Sequence, residues 1–382
     1  VTVAPAAARP DSRLRWHWKR TLVAGVVVVM LVVLAVVSWS FSSLVLVPDH
    51  SSRDSDAIVK GLHPGEVVLT RSTDSLRPGI YGLEWQGGHA IVEGVVGSDV
   101  HTVTRTLRVV TGNLAVGTKV AFDSAVYQGN PRQALGMPFA NVAVPDELGP
   151  MPAWLIPGRT HTWALVVHGI NGDREDNLRI VPTLRRAGLA TMLITYREDI
   201  GAPRSADGFH HMGLTEWRDL EAAARYALAH GAQHLVVIGY SMGGAIVTQF
   251  MERSPLARDV TGMVLDAPAL SWTKILSFNA KEIGFPSFGA ITVEWAIGLR
   301  IDANWEQLDA LKHTASFHLP TLLFHGMEDK TVPISLSNQF AKKLPGWVRY
   351  YRVPHAGHVE SWNVDSSLYD RRLAAFVSGL GR

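Results

Sequence analysis

The segment HLVVIGYSMGGAIVTQFMER, residues 234–253, constrains the fold more than any other in the chain. An apolar run of strand length passes through Gly239-Tyr240-Ser241-Met242-Gly243-Gly244 directly into residues with helical spacing. A strand that turns this sharply into a helix needs glycines to make room, and the residue at the turn is left projecting above the strand end. Ser241 holds that position and is a candidate nucleophile; the alternative is a helix-capping serine in a glycine-rich turn. With 34 glycines in the chain the spacing alone is weak, so the strand before and the helix after carry the weight.

The rhythm around this segment fits. From 138 to 382 the chain repeats strand, turn and helix, beginning with two strands joined by a Glu-Leu-Gly turn in 140–158 and the continuous apolar strand TWALVVHGI, 162–170. A helix broken or kinked at Pro182 is expected next, then the strand TMLITYRED. The helix in TEWRDLEAAARYALAHG sets Trp217, Leu220, Ala224 and Leu228 on one face and ends at Gly231. A last helix opens with a Ser367-x-x-Asp370 capping pattern. Strands alternating with helices predict a mainly parallel sheet covered on both faces, an α/β class.

A serine is a poor nucleophile unaided, so a base, an acid to orient the base and an oxyanion hole are required. Asp329 follows the strand TLLFHG, and His358 follows the last strand in VPHAGHVESW; both strand ends reach the edge where Ser241 sits. Glu328 and Asp266 compete for the acid and His355 for the base; Pro333 beyond Asp329 and Gly357 before His358 favour the first pair. Main-chain amides of Met242, at the helix start, and Ile170, in HGING after an earlier strand, are placed to form the oxyanion hole. His210 and His211 read as surface or lid residues without metal-ligand spacing. Among Arg197, Glu198 and Asp199 a structural ion-pair cluster is favoured over substrate contact.

Residues before 138 differ in kind. RLRWHWKR precedes TLVAGVVVVMLVVLAVVSWSF, an uncharged run at 21–41 with no polar face. At 1.5 Å per residue about 20 residues cross a hydrocarbon layer of roughly 30 Å, so a membrane anchor at 21–42 is expected behind a basic tail at 1–20. A cleavable signal peptide is the rival, but its apolar core is usually about 7–15 residues. Arg13, Arg15, Lys19 and Arg20 before the run, and Asp49, Asp54 and Asp56 after it, place the rest of the chain outside the cytoplasm. Residues 43–137 read as short β runs between turns, a small β-rich domain that spaces or supports the strand-and-helix body beyond it. A net charge of +2, from 36 basic and 34 acidic residues, gives no field for nucleic acid. The absence of cysteine removes disulfides and thiolate chemistry.

HGING, GYSMGG, GMEDKTVP and HAGHVESW, in this order, resemble the α/β-hydrolase superfamily, especially its monoacylglycerol lipase-like and serine aminopeptidase-like branch. The resemblance covers 138–382 and implies Ser241 as nucleophile, Asp329 as acid, His358 as base and the Ile170 and Met242 amides as oxyanion hole, with no cofactor and no metal. A serine at the elbow argues against the haloalkane dehalogenases and epoxide hydrolases of that fold. The whole arrangement of anchor, β domain and hydrolase also resembles membrane-anchored hydrolases of high-GC Gram-positive bacteria. The segment 271–319 is shorter than a full lipase cap and does not imply a long buried acyl tunnel. Cleavage of carboxylic esters or lipid esters is expected first. A peptidase or aminopeptidase using Glu198 or Asp199 to hold an amino terminus is the alternative, and a non-catalytic scaffold the third. Substrate choice is expected in 278–299 and 195–211, which overhang the site.

Overall fold

The structure, a computed structural model, describes residues 12–51, 54–284 and 287–380; of the expected basic tail, 1–11 lie outside that range. Helix α1 runs Ser12–Leu46, and within it Arg20–Leu46 is long and apolar enough to cross a membrane. Strands β1 (Ala57–His63), β2 (Glu66–Thr70), β3 (Tyr81–Trp85), β4 (Gly88–Ser98), β5 (Thr102–Thr111) and β6 (Lys119–Asp123) come next. They close into an antiparallel barrel, order β1-β2-β5-β4-β3-β6, with β1 and β6 paired at Ala57↔Val120 to seal it. Alternate residues such as Val59, Val67, Leu69, Leu83 and Val92 fill its interior. Closure removes the sheet edges that a small β domain would otherwise expose.

A short helix α2 (Pro131–Leu135), held by a capping box between Asn130 and Gln133, leads to the second body. There β7 (Ala140–Val144), β8 (Met151–Ile156), β9 (Thr162–Val167), α3 (Val181–Arg186), β10 (Ala190–Ile194), α4 (Trp217–Ala229), β11 (His234–Tyr240), α5 (Met242–Arg253) and β12 (Val260–Asp266) alternate. Then come α6 (Trp272–Glu282), α7 (Ser287–Ile301), β13 (Thr321–Gly326), α8 (Ser335–Lys343), β14 (Val348–Val353), α9 (Ser361–Val364) and α10 (Ser366–Gly379). The eight strands form one sheet, β14-β13-β12-β11-β9-β10-β8-β7, parallel except for β8, which runs antiparallel to both of its neighbours β10 and β7. Strand β9 shows why its residues are apolar without interruption: Trp163, Leu165 and Val167 enter the core under α4 and α5, Ala164 and Val166 the core under α3 and α10. Burial on both faces is the signature of a parallel sheet covered by two helix layers.

Three expectations are corrected. Pro182 does not break a helix: residues Arg174–Ile180 form a 3-10 turn, and Pro182 lies in the first turn of α3, where no N–H is missed. The cap of α10 is Asp365, whose carboxylate accepts from the Leu368 N–H at 2.9 Å, rather than Ser367; Asp370 lies within the helix and accepts from the Trp362 ring N–H. His210 is fully buried rather than on the surface, its ring bonded to the Asn171 side chain at 3.1 Å.

Candidate active site

Ser241 sits between β11 and α5 with φ 51° and ψ −118°, outside the ordinary regions for an L residue. Such a conformation costs on the order of 1–3 kcal/mol and persists only where neighbours enforce it. Its N–H donates to the Asp266 carbonyl at 3.1 Å, while its own carbonyl accepts from the Gly244 and Ala269 N–H groups at 2.9 and 3.0 Å. The flanking glycines are required by contact: a Cβ on Gly239 would stand 2.4 Å from the Gly243 carbonyl oxygen, and one on Gly243 would stand 2.3 Å from that of Val167. The turn therefore fits only with both side chains absent.

His358, in the loop after β14, approaches the Ser241 hydroxyl through Nε2 at 2.8 Å, and its Nδ1 lies 2.8 Å from Asp329 Oδ2. Asp329 follows β13, and its second oxygen accepts from the Thr331 and Val332 N–H groups at 2.8 and 2.9 Å. Burial pushes the Asp329 carboxyl up, but hydrogen bonds and charge from His325 and His358 reverse this and hold it well below the usual carboxylate range. An ionised Asp329 can only accept, so the imidazole proton of His358 sits on Nδ1, and Nε2 presents a lone pair to the serine O–H. The rivals are engaged elsewhere. Glu328 and His355 pair with each other on the surface at 3.1 Å, and buried Asp266 accepts from the Ser361 hydroxyl.

The loop after β9 that carries Ile170 is held by a device that sequence reading missed. His168 is fully buried; its Nε2–H donates to Asp199 at 2.9 Å and its Nδ1–H to the Gly169 carbonyl at 2.8 Å. Burial lowers its basicity, and the Asp199 carboxylate more than offsets this, bringing its pKa to about 9. The Gly169 carbonyl accepts also from the Tyr196 hydroxyl at 2.7 Å. Because the peptide is planar and trans, fixing that oxygen turns the Ile170 N–H the opposite way. Among the described residues no backbone acceptor takes up this N–H. Met242 opens α5, and its N–H belongs to the first turn, which has no intrahelical acceptor. A second missed residue is His325, fully buried behind the acid, with Nε2 3.2 Å from Asp329 and Nδ1 bonded to the Ser337 hydroxyl. Its signal was a histidine inside an otherwise apolar strand end.

Two cavities meet at Ser241. One, about 360 Å³, is lined by apolar residues of α6 and α7, by Ile170 and by Phe41, Leu44 and Val45 of α1, with no charged residue. The short segment 271–319 does not by itself imply a long buried tunnel, and part of the wall of this cavity comes from α1. The other, about 230 Å³, mixes apolar with polar and charged groups and includes Asp176, Asn177 and Arg179 with Ser124 of the barrel end. Arg197, Glu198 and Asp199 form ion pairs as expected: Arg197 grips Asp219 at 2.7 Å, Glu198 meets Arg204 and Asp199 holds His168. Among the described residues no group of three or more His, Asp or Glu is arranged to hold a metal ion.

The barrel buttresses the His358 loop. Arg77 and the Tyr81 hydroxyl donate to Glu360 at 2.7 and 3.4 Å, and the same carboxylate accepts from the Gly357 N–H at 3.0 Å. Asn363 donates to the Ile80 and Ser124 carbonyls at 2.7 and 2.9 Å.

Residues 183–379 match the prolyl oligopeptidase family, and residues 58–123 match a domain of unknown function, DUF8805. The chain belongs to the prolyl oligopeptidase family. It is an α/β-hydrolase-fold serine hydrolase, of esterase, lipase or prolyl-oligopeptidase type. The uncharacterized protein Rv2307c of Mycobacterium tuberculosis is 25% identical over 231 residues, 59% of this chain and 74% of that protein. The Pyrococcus furiosus esterase Pf2001 is similar in two crystal forms: TM-scores are 0.54 and 0.53 and identities 18% and 17%. Both matches cover 66% of this chain, with 95% and 96% of the esterase chains. At that identity the likeness establishes the common fold.

Proposed function

We propose that the protein is a membrane-anchored hydrolase of carboxylic esters, lipid esters included, working through Ser241, His358 and Asp329. His358 takes the Ser241 proton as the hydroxyl oxygen attacks the ester carbonyl, the Ile170 and Met242 amides hold the oxyanion, and His358 returns the proton to the departing alcohol. Water, deprotonated by the same imidazole, then cleaves the acyl-enzyme and releases the acid. Asp329 keeps the proton on Nδ1 and stabilises the imidazolium that forms. The same reading takes α1 as the anchor, with the barrel and the catalytic body outside the cytoplasm, and divides the chain at 21–42, 43–137 and 138–382.

The observation that carries the ester reading is the hydrogen-bonded series Asp329, His358, Ser241 beside a cavity that no charged residue lines. A peptidase is the second reading, favoured by the family match; it needs a free carboxylate for a peptide amino terminus, and Glu198 and Asp199 are buried in ion pairs. Comparing p-nitrophenyl esters of graded chain length with aminoacyl anilides separates the two. Faster turnover of esters is expected; faster turnover of anilides would make the peptidase reading the better one. Fluorophosphonate labelling of wild type but not Ser241→Ala is expected, and equal labelling would remove Ser241 from the chemistry.

A further inference from the structure

The end of α1 is built into the catalytic body. Ser38 Oγ donates to Thr292 Oγ1 at 2.7 Å, and the Arg300 guanidinium donates to the Ser42 and Ser43 hydroxyls at 2.8 Å each while lying over the Trp39 ring. Leu46 is fully buried, and its carbonyl accepts from the His210 N–H at 2.8 Å. Between these fixed points Phe41, Leu44 and Val45 form part of the cavity that contains Ser241. Leu44, 72% exposed, stands at its open rim.

Helix α7 runs beside residues 38–43 of α1, as its contacts at Thr292 and Arg300 show. Its buried face carries Val293, Ile297 and Ile301; its other face presents Ile291, Trp295 and Leu299, one turn apart and 55%, 73% and 82% exposed. A surface helix in water turns polar residues outward, and this one turns out an apolar stripe, as α1 beside it also exposes apolar side chains. At about 1.5 Å per residue the run 21–41 is as long as the hydrocarbon layer is thick, roughly 30 Å. The seam between α1 and α7 therefore lies at the far boundary of that layer, where tryptophan is favoured.

We propose that the cavity is the acyl-chain site for a bilayer-resident lipid ester, that the last turns of α1 are one of its walls, and that the substrate reaches Ser241 sideways along the α1–α7 seam. The proposal rests on the reading of Ser241 as nucleophile and α1 as a span. Sideways entry spares the acyl chain from crossing water, where each methylene would be hydrated at a cost. The partner of the exposed α7 stripe is the same membrane that α1 enters.

The test uses the full chain in lipid vesicles with a long-chain alkyl fluorophosphonate carrying a terminal diazirine. After labelling, irradiation is expected to cross-link the chain to the peptide containing residues 41–45, and an ethyl fluorophosphonate with the same photoreactive group is expected not to reach it. Cross-links confined to peptides outside α1 overturn the proposal while leaving the Ser241 reading intact; no adduct on Ser241 overturns both. Val45→Phe is expected to lower the ratio of long-chain to short-chain ester hydrolysis by about tenfold or more. The triple variant Ile291→Asp, Trp295→Asp, Leu299→Asp is expected to lower the ratio of vesicle-embedded to water-soluble ester hydrolysis by a similar factor. An unchanged ratio in the triple variant overturns sideways entry.

Discussion

Two His–Asp pairs stand at the same edge of the sheet and have opposite duties. His168 is sealed from solvent, and both of its ring nitrogens donate to oxygen acceptors, so it is an imidazolium with no lone pair to offer. His358 keeps 23% of its side chain exposed and spends only Nδ1 on its carboxylate, leaving Nε2 against the serine hydroxyl. The acceptor beside the second nitrogen makes the difference: a carbonyl fixes a proton in place, whereas a hydroxyl can lose one to the ring. The first pair shapes the loop that presents the Ile170 amide; the second is the proposed machinery.

Substitutions should separate the pairs most sharply in kinetics. His358→Gln or Asp329→Asn is expected to reduce ester kcat by about 10⁴-fold or more, as steady-state rates would show, and thermal melts should find the midpoint nearly kept in His358→Gln, whose side chain is partly exposed. A small kinetic effect would mean that another base serves Ser241. His168→Gln or Asp199→Asn should reverse this balance: stability falls by about 3–5 kcal/mol, since each leaves a buried partner behind, as urea unfolding would show. The rate should fall by less than the hundredfold to roughly thousandfold of losing an oxyanion donor outright.

Acidity and alkalinity should divide the pairs as well. The folded pKa of His168, about 9, lies above the roughly 6.5 of an unfolded chain, so its stabilisation is full below about pH 6.5 and is lost as pH rises through about 9. The loss, on the order of 3 kcal/mol, should appear in unfolding free energies compared at about pH 6 and pH 10 and should be absent in Asp199→Asn. The Asp329 carboxyl is held low, so its contribution is present above about pH 4 and is lost on further acidification. The smallest effect belongs to Arg77→Ala at the barrel contact. Arg77 is about one-third exposed, and its loss should cost no more than about 1 kcal/mol by urea unfolding. A larger cost would give the barrel a stronger hold on the His358 loop than this ion pair supplies.

Much of this was legible because strand ends and turns leave local marks. The elbow at Ser241, the loop residues Asp329 and His358 and the alternation of strands with helices each depend on a few neighbouring residues. Which histidine bonds to which acceptor is a tertiary matter. Nothing near His168 distinguishes a static imidazolium from a base, and the Tyr196 hydroxyl that fixes Gly169 lies 27 positions away. The wall that Phe41 and Val45 add to the cavity depends on contacts such as Ser38 with Thr292, 254 positions apart. Closure of the barrel depended on the Ala57↔Val120 pairing between its first and last strands, which short β runs do not announce.

The central claim is most directly tested by the rate at which a fluorophosphonate modifies the peptide containing Ser241, measured by mass spectrometry in wild type, His358→Gln and His168→Gln. Modification confined to Ser241, slowed by about 10⁴-fold in His358→Gln and by far less in His168→Gln, is the predicted result. Equal slowing in both variants, or modification at another residue, would contradict the account.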